Sequence, residues 1–372
     1  MNAITSIENR QANAFEAASR VDERCDNPLI KVSKLAYLKL QREDLDSAVA
    51  YFEAFGLQAD VRTEDKVYFR GISSDHHALI IERGPDAYLG FGMEAEAADD
   101  LLTLANHFNL SVTKNCETLG GECIQLHDPN GNCVEVCYGL KPLSNIIPIV
   151  PRETNFNTEK NRLNQTVRQA PGDLIVHKLG HTVFSVKDIK ASLEWYQTIL
   201  GMIVSDFQFL PDEEIPMAAF MRCNCADQPV DHHTIALAMA PQLGHLHSAF
   251  EVNDIEAVTR GNLNLSKKKY QHAWGIGRHT LGSQIFDYWC DPVGEIFEHY
   301  ADGDLFDEDK KAGYHPFHAN AQHQWGPRMS KVMTGEDKPL SMLSIVLKRL
   351  FSNDDLTFAR MKKMLKAARA KG

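Results

Sequence analysis

Three things are scarce in this 372-residue chain, and each scarcity removes a class of function. Its eight cysteines include no Cys-x-x-Cys pair, so neither a zinc ribbon nor a thioredoxin-type redox motif is available. The closest two, Cys223 and Cys225, read as ordinary reduced thiols, and free thiols in this number fit a reducing cytoplasm, the expected location. No uninterrupted apolar run approaches eighteen residues, so no membrane-spanning helix is expected. The first ten residues also lack the basic start and apolar core of a secretory signal. Positive charge is outnumbered: 39 Lys and Arg stand against 50 Asp and Glu, a net charge of −11, which argues against general nucleic-acid binding. The rest, 44% hydrophobic and 24% charged, is the composition of a globular protein with room for two domains.

Histidine is plentiful, with 16 in the chain, and two open the same short phrase: His181-Thr-Val-Phe184 and His247-Ser-Ala-Phe250. Both phrases alternate as strands do, so each imidazole can project to one face of a sheet. Glu298 ends a third apolar segment, which follows the turn sequence Asp291-Pro-Val-Gly294. Two imidazoles and a carboxylate from three strands are the donor set of a facial triad, whose usual occupant is non-haem Fe(II). Mn(II) is compatible with the same donors.

The chain also repeats itself. Asp44 to Gly56 and Asp188 to Gly201 each run from an aspartate through an amphipathic helix pattern to a glycine, after an alternating strand. Asp75-His-His-Ala-Leu-Ile-Ile81 is echoed by Asp231-His-His-Thr-Ile-Ala-Leu237, and Asp128-Pro-Asn-Gly131 by Asp291-Pro-Val-Gly294. Offsets of 144 to 163 residues indicate an internal duplication. The fold class expected is α+β, with an N-terminal extension over 1–30, a first domain over 31–140 and a Pro- and Asn-rich linker over 141–173. A second domain follows over 174–320, and a C-terminal extension over 321–372. A helix-compatible patch spans Ala12 to Val21, and the segment after Tyr300 is expected to fold back over the second domain. Residues 340–372 read as a helical tail with eight Lys or Arg, expected to be solvated. At the three metal positions the first copy reads Tyr37, Tyr88 and Glu135, a poor donor set because neutral phenols are weak ligands. One copy is therefore expected to be metal-free and the other to carry the metal.

Taken together, several phrases resemble the type I extradiol ring-cleavage dioxygenases of the vicinal oxygen chelate superfamily. They are Gly180-His-Thr-Val-Phe184, Asp231-His-His-Thr234, His247-Ser-Ala-Phe250, Gly277-Arg-His-Thr280, Phe286-Asp-Tyr-Trp289 and Asp291 through Tyr300. The resemblance covers about residues 32 to 320. It implies tandem βαβββ modules paired into two barrel-like domains, and Fe(II) on His181, His247 and Glu298. It further implies dioxygen as co-substrate, a catecholic small molecule as substrate, cytoplasmic location and homo-oligomers. Ring cleavage beside the two hydroxyls would give a hydroxymuconic semialdehyde-type product. His233, 14 residues before His247, takes the place of the family's acid/base histidine. His279 and Tyr288, nine residues apart, take the places beside the substrate oxygens. Strand alternation puts His232 on the opposite face from His233. Tyr300 shares the strand face of Glu298, Arg278 reads equally as a surface ion-pair residue, and Trp274, Trp289 and Trp325 are candidates to line a pocket. A glyoxalase-type isomerase or lyase, and a non-catalytic binding protein of the same fold, are the alternatives.

Overall fold

The computed structural model describes residues 21–72, 76–115, 119–143, 153–168, 176–318, 322–337, 349 and 354–369. The first sheet comprises β1 (Val32–Arg42), β2 (Gln58–Arg62), β3 (Lys66–Arg70), β4 (Leu79–Arg83), β5 (Ala87–Ala95), β6 (Thr113–Lys114), β7 (Glu122–His127) and β8 (Cys133–Tyr138). Its order is β2-β3-β4-β1-β5-β8-β7-β6. The second half supplies β9 (Val176–Ser185), β10 (Ile203–Phe209), β11 (Pro216–Arg222), a short β12 (Val230–Asp231), β13 (Ile235–Ala238) and β14 (Gly244–Val252). It continues with β15 (His272–His279), β16 (Ile285–Cys290), β17 (Ile296–Ala301), a short β18 (Leu305–Phe306), β19 (Gly313–Pro316) and β20 (His323–Trp325). The second sheet runs β19-β10-β11-β13-β9-β14-β17-β16-β15-β20.

Without the outer strands β19 and β20, the two orders match strand for strand. Each sheet is two βαβββ modules, in which the first strand pairs in parallel with the last: β1 with β4, β5 with β8, β9 with β13, β14 with β17. The two modules meet antiparallel along their first strands, β1 on β5 and β9 on β14. Helix limits follow the sequence signals. Asp44 and Asp188 cap helices Leu45–Phe55 and Ile189–Leu200 by accepting the amides of Ser47 and Ala191, and Gly56 and Gly201 end them in the left-handed region. The Asp-Pro-x-Gly turns are built alike. Asp291 Oδ1 accepts the amides of Val293 and Glu295, and Gly294 turns at φ 92°.

One apolar core runs through both halves. The helix Leu45–Phe55 of the first half places Phe52 and Phe55 against Phe297 of the second, with ring centroids 5.0 and 6.5 Å apart. Reciprocally, the helix Ile189–Leu200 reaches the first half, where Tyr196 donates to Asp128 and Asn130 donates to Ser192. Residues 21–30 are tied to the second half, since the amides of Leu29 and Ile30 donate to the carbonyls of Thr198 and Ile199. The expected helix patch falls outside the described residues apart from Val21. The chain after Tyr300 does return to the second sheet, β19 beside β10 and β20 beside β15.

The described part of the tail is docked along one face, with Lys362, Lys363 and Lys366 exposed on the other. Arg349 is buried and donates to the carbonyls of Ala240 and Val186, while pairing with Asp354 at 2.7 Å. In the helix Phe358–Arg369, Arg360 and Lys363 both reach Glu213, and Met364 and Ala367 pack with Met217 and Met239. Its basic residues thus answer an acid on the second domain, a pairing of distant segments that charge counting along the tail does not reveal. Among the described residues, no helix is long and apolar enough to cross a membrane.

Candidate metal centre

His181, His247 and Glu298 lie on β9, β14 and β17, three neighbours at the middle of the second sheet. The register puts Ala249 directly between His181 and Glu298, and its small side chain leaves the space over β14 clear. One ligand atom from each of the three residues lies within 4.8 Å of the others. Glu298 Oε2 is 3.2 Å from His181 Nε2 and 3.5 Å from His247 Nε2. Glu298 is fully buried, and neither carboxylate oxygen has a hydrogen-bond donor. Burial alone would push its carboxyl up, but His181, His247 and His279 outweigh that and hold it well below the usual range. Burial likewise keeps the His247 imidazole below its ordinary value, so it is a neutral donor at pH 7. A buried carboxylate without donors, faced by imidazole nitrogens, fits a divalent metal ion.

The first sheet shows how the same place looks when filled by protein. There Tyr37 donates to Glu135 at 2.7 Å, and Lys39 pairs with the other Glu135 oxygen at 2.9 Å. The tyrosine ring lies over Gly92, the counterpart of Ala249. The register corrects one assignment: with Gly92 opposite Tyr37 and Glu135, the counterpart of His247 is Gly90, and Tyr88 corresponds to His245. Tyr88 stacks on His245 across the two halves, centroids 4.2 Å apart. The sequence comparison slipped by two residues, which a period-two pattern cannot detect.

The remaining candidates gather round the triad. His233 is buried, with its ring 4.0 Å from that of His181, and burial followed by that neighbour holds it well below its ordinary value. His279 Nε2 is 2.8 Å from the Tyr288 hydroxyl and 3.8 Å from Glu298 Oε1. Since His279 Nδ1 faces the carbonyl of Gln322, it must donate there, so a neutral His279 accepts the Tyr288 proton at Nε2. Tyr300 packs beside His181 over Gly180. Arg278 points away, paired with Asp302 at 2.7 Å. His232 is not on the opposite face. Residues 232–234 lie between β12 and β13, outside strand geometry, and the two adjacent rings approach to 3.0 Å between their Nδ1 atoms.

The triad opens into a cavity of about 540 Å³ lined by Met217, Met239, Phe317, Met333 and Met364, among others, and by no Lys or Arg among the described residues. Trp274 lines it, whereas Trp289 is core and Trp325 is half-exposed and outside it. Met364 comes from the docked C-terminal helix, which neither periodicity nor charge in the sequence connects with a pocket. Because Glu213 holds that helix through Arg360 and Lys363, Glu213→Lys should loosen the cavity wall. The Lys363 pair is exposed and the Arg360 pair only part-buried, so we expect KM for bulky apolar substrates to rise about three- to tenfold, with turnover of the smallest substrate unchanged in steady-state assays.

Residues 178–298 match the family model described as the Glyoxalase/Bleomycin resistance protein/Dioxygenase superfamily. Metapyrocatechase 2 of Cupriavidus necator is 28% identical over 316 residues, covering 84% of this chain and 94% of the relative. Among solved structures, homoprotocatechuate 2,3-dioxygenase from Arthrobacter globiformis aligns with a TM-score of 0.68 at 19% identity, over 85% of this chain and 94% of that one. The Mn(II)-bound glyoxalase from Novosphingobium aromaticivorans aligns with a TM-score of 0.66 at 22% identity, over 82% and 94%. At these identities the structural likenesses establish the fold alone.

Proposed function

We propose that this chain, whose second half is a domain of the glyoxalase/bleomycin resistance protein/dioxygenase superfamily, is an extradiol dioxygenase that opens a catecholic ring with both atoms of dioxygen. The observation that carries the reading is the buried His181–His247–Glu298 cluster beside a mainly apolar cavity, with His233, His279 and Tyr288 around it. These three residues would hold Fe(II), with Mn(II) compatible. When bound, the metal supplies positive charge that favours loss of the catechol protons and a route for electrons between ring and dioxygen.

The chain's own residues handle orientation and protons. His233, unprotonated at neutral pH, is suited to take a proton from a substrate oxygen and return it later. Tyr288 and His279 share one proton across 2.8 Å, and that proton can be directed at Tyr288 Oη toward a second substrate oxygen. A glyoxalase-type isomerisation is the competing reading for the same donors, and the test separates the two. Anaerobically purified, Fe(II)-loaded protein is given a panel of catechols, then air. Stoichiometric oxygen uptake with a yellow product, abolished in His247→Ala, is expected. Metal binding with no oxygen uptake on any catechol would favour the isomerase.

The cavity also sorts substrates by charge. With no Lys or Arg among the described residues of its wall to meet a carboxylate, a carboxylated catechol must bury an unpaired charge. We expect kcat/KM to favour alkyl- or aryl-substituted catechols over 3,4-dihydroxyphenylacetate by more than about tenfold.

A further inference from the structure

His233 does not stand alone behind the metal centre. Its Nδ1 is 3.0 Å from His232 Nδ1, His232 Nε2 is 2.6 Å from Asp206 Oδ2, and Asp206 Oδ1 is 2.9 Å from His315 Nε2. The line leads from the buried site to a half-exposed histidine on β19. Burial pushes the Asp206 carboxyl up, but the hydrogen bonds from His232 and His315 outweigh it and bring it down to about 2. At neutral pH it is an ionised acceptor, so His232 must carry its proton on Nε2. With His232 neutral, its Nδ1 is a lone pair, and His233 Nδ1 must be the donor across the 3.0 Å contact. The proton of His233 is then accounted for, and its Nε2 is bare.

We propose that Asp206 is a positioning residue, fixing through His232 the tautomer in which His233 offers an unprotonated Nε2 to the substrate. This rests on the reading of His233 as the group that takes a substrate proton. The surroundings hold the intermediate ring in place. His232 lies between Phe220 and Phe306, and Gly282, at φ 75°, leaves room beside its Nδ1 that a side chain would fill. The other charged group near Asp206, Arg222, is committed to Ser205 Oγ and the carbonyls of Asp307 and Lys310.

The metal-free sheet provides the comparison. There the counterpart of His233, His77, meets a carboxylate directly, Asp60 at 2.8 Å, and its neighbour His76 turns to Glu94 at 3.6 Å instead. By register Asp60 corresponds to Ser205, so in the second sheet the carboxylate has moved one position along the strand and a second imidazole intervenes. The two-imidazole line occurs in the copy that carries the triad.

The test reads the tautomer directly. In ¹⁵N-labelled full-length protein, metal-free and loaded with diamagnetic Zn(II), long-range imidazole spectra assigned with His233→Gln should show His233 protonated on Nδ1. In Asp206→Asn that tautomer should be lost or mixed. Turnover of the Fe(II) enzyme should fall about 100-fold, the scale of one acid–base contribution, with metal content unchanged and KM within about threefold. An unchanged tautomer in Asp206→Asn, an Nε2-protonated His233 in the parent protein, or a loss shared equally between KM and metal content would overturn the proposal. If instead His233→Gln keeps full turnover, it is the reading of His233 that fails.

Discussion

Glu298→Gln is expected to yield a folded protein that no longer retains iron. The distinction lies between a structural ion pair and a site built for a cation from outside. Removing one partner of a buried ion pair strands the other charge and costs about 3–5 kcal/mol. Here the groups facing Glu298 are imidazoles, and burial keeps His247 neutral at pH 7, so the substitution strands no fixed cation. Neither oxygen of Glu298 makes a hydrogen bond, so what the metal-free protein gains from the carboxylate's charge is its attraction to the imidazoles that hold its carboxyl below the usual range. Without metal, Glu298→Gln should therefore lose less stability than a stranded charge would cost. With Fe(II) or Mn(II) in excess the gap should widen, because only the parent gains binding energy. Ring cleavage should drop by more than the roughly 100-fold that partners outside the ligand shell typically contribute. A Glu298→Gln protein several kcal/mol less stable in the absence of metal would make the carboxylate structural. Glu135→Gln supplies the contrast: it should cost about 1–3 kcal/mol through Tyr37 and Lys39 and leave metal content unchanged.

Much of this was legible in the sequence because the relevant signals are local. Alternation in His181-Thr-Val-Phe184 and His247-Ser-Ala-Phe250 puts both imidazoles on a sheet face, and each Asp-Pro-x-Gly turn announces the strand that follows. The misreadings have equally specific causes. Tyr88 was aligned with His247 because a two-residue slip keeps every side chain on its face, and only pairing to β1 and β8 places Gly90 there. His232 was sent to the far face by alternation, which fails where residues 232–234 leave the strand. The basic tail looked solvated because its partners, Glu213 and the carbonyls of Val186 and Ala240, lie more than a hundred residues away. The Tyr88 and tail misreadings turn on long-range pairings, and a pattern read along the chain carries no information about those.

The same kind of contact joins the two halves, and Arg42→Met is expected to be the most destabilising single change outside the metal site. Arg42 ends β1 of the first sheet and is almost wholly buried. Its Nε and Nη2 donate to Asp291 Oδ2 at 3.0 and 2.8 Å, and Nη2 also reaches Glu295 Oε2 at 2.7 Å. Both acids sit in the turn that leads into β17, with Glu295 directly before its first residue, and Glu295 lines the cavity. Methionine keeps the apolar stem but leaves a buried carboxylate unpaired, so a loss of about 3–5 kcal/mol is expected in urea unfolding. If the loss comes from stranded charge, neutralising the acids should recover much of it. Asparagine at 291 still offers an oxygen to the amides of Val293 and Glu295, so the triple variant Arg42→Met, Asp291→Asn, Glu295→Gln should regain at least half. A triple variant no better than Arg42→Met would instead assign the loss to the guanidinium's other bonds, to the carbonyls of Gln41 and Ala87 within the first sheet. Iron retention distinguishes the two cases further. A stranded charge in the turn should loosen β17 and weaken metal binding at Glu298, whereas a fault confined to the end of β1 leaves the ligands where they are.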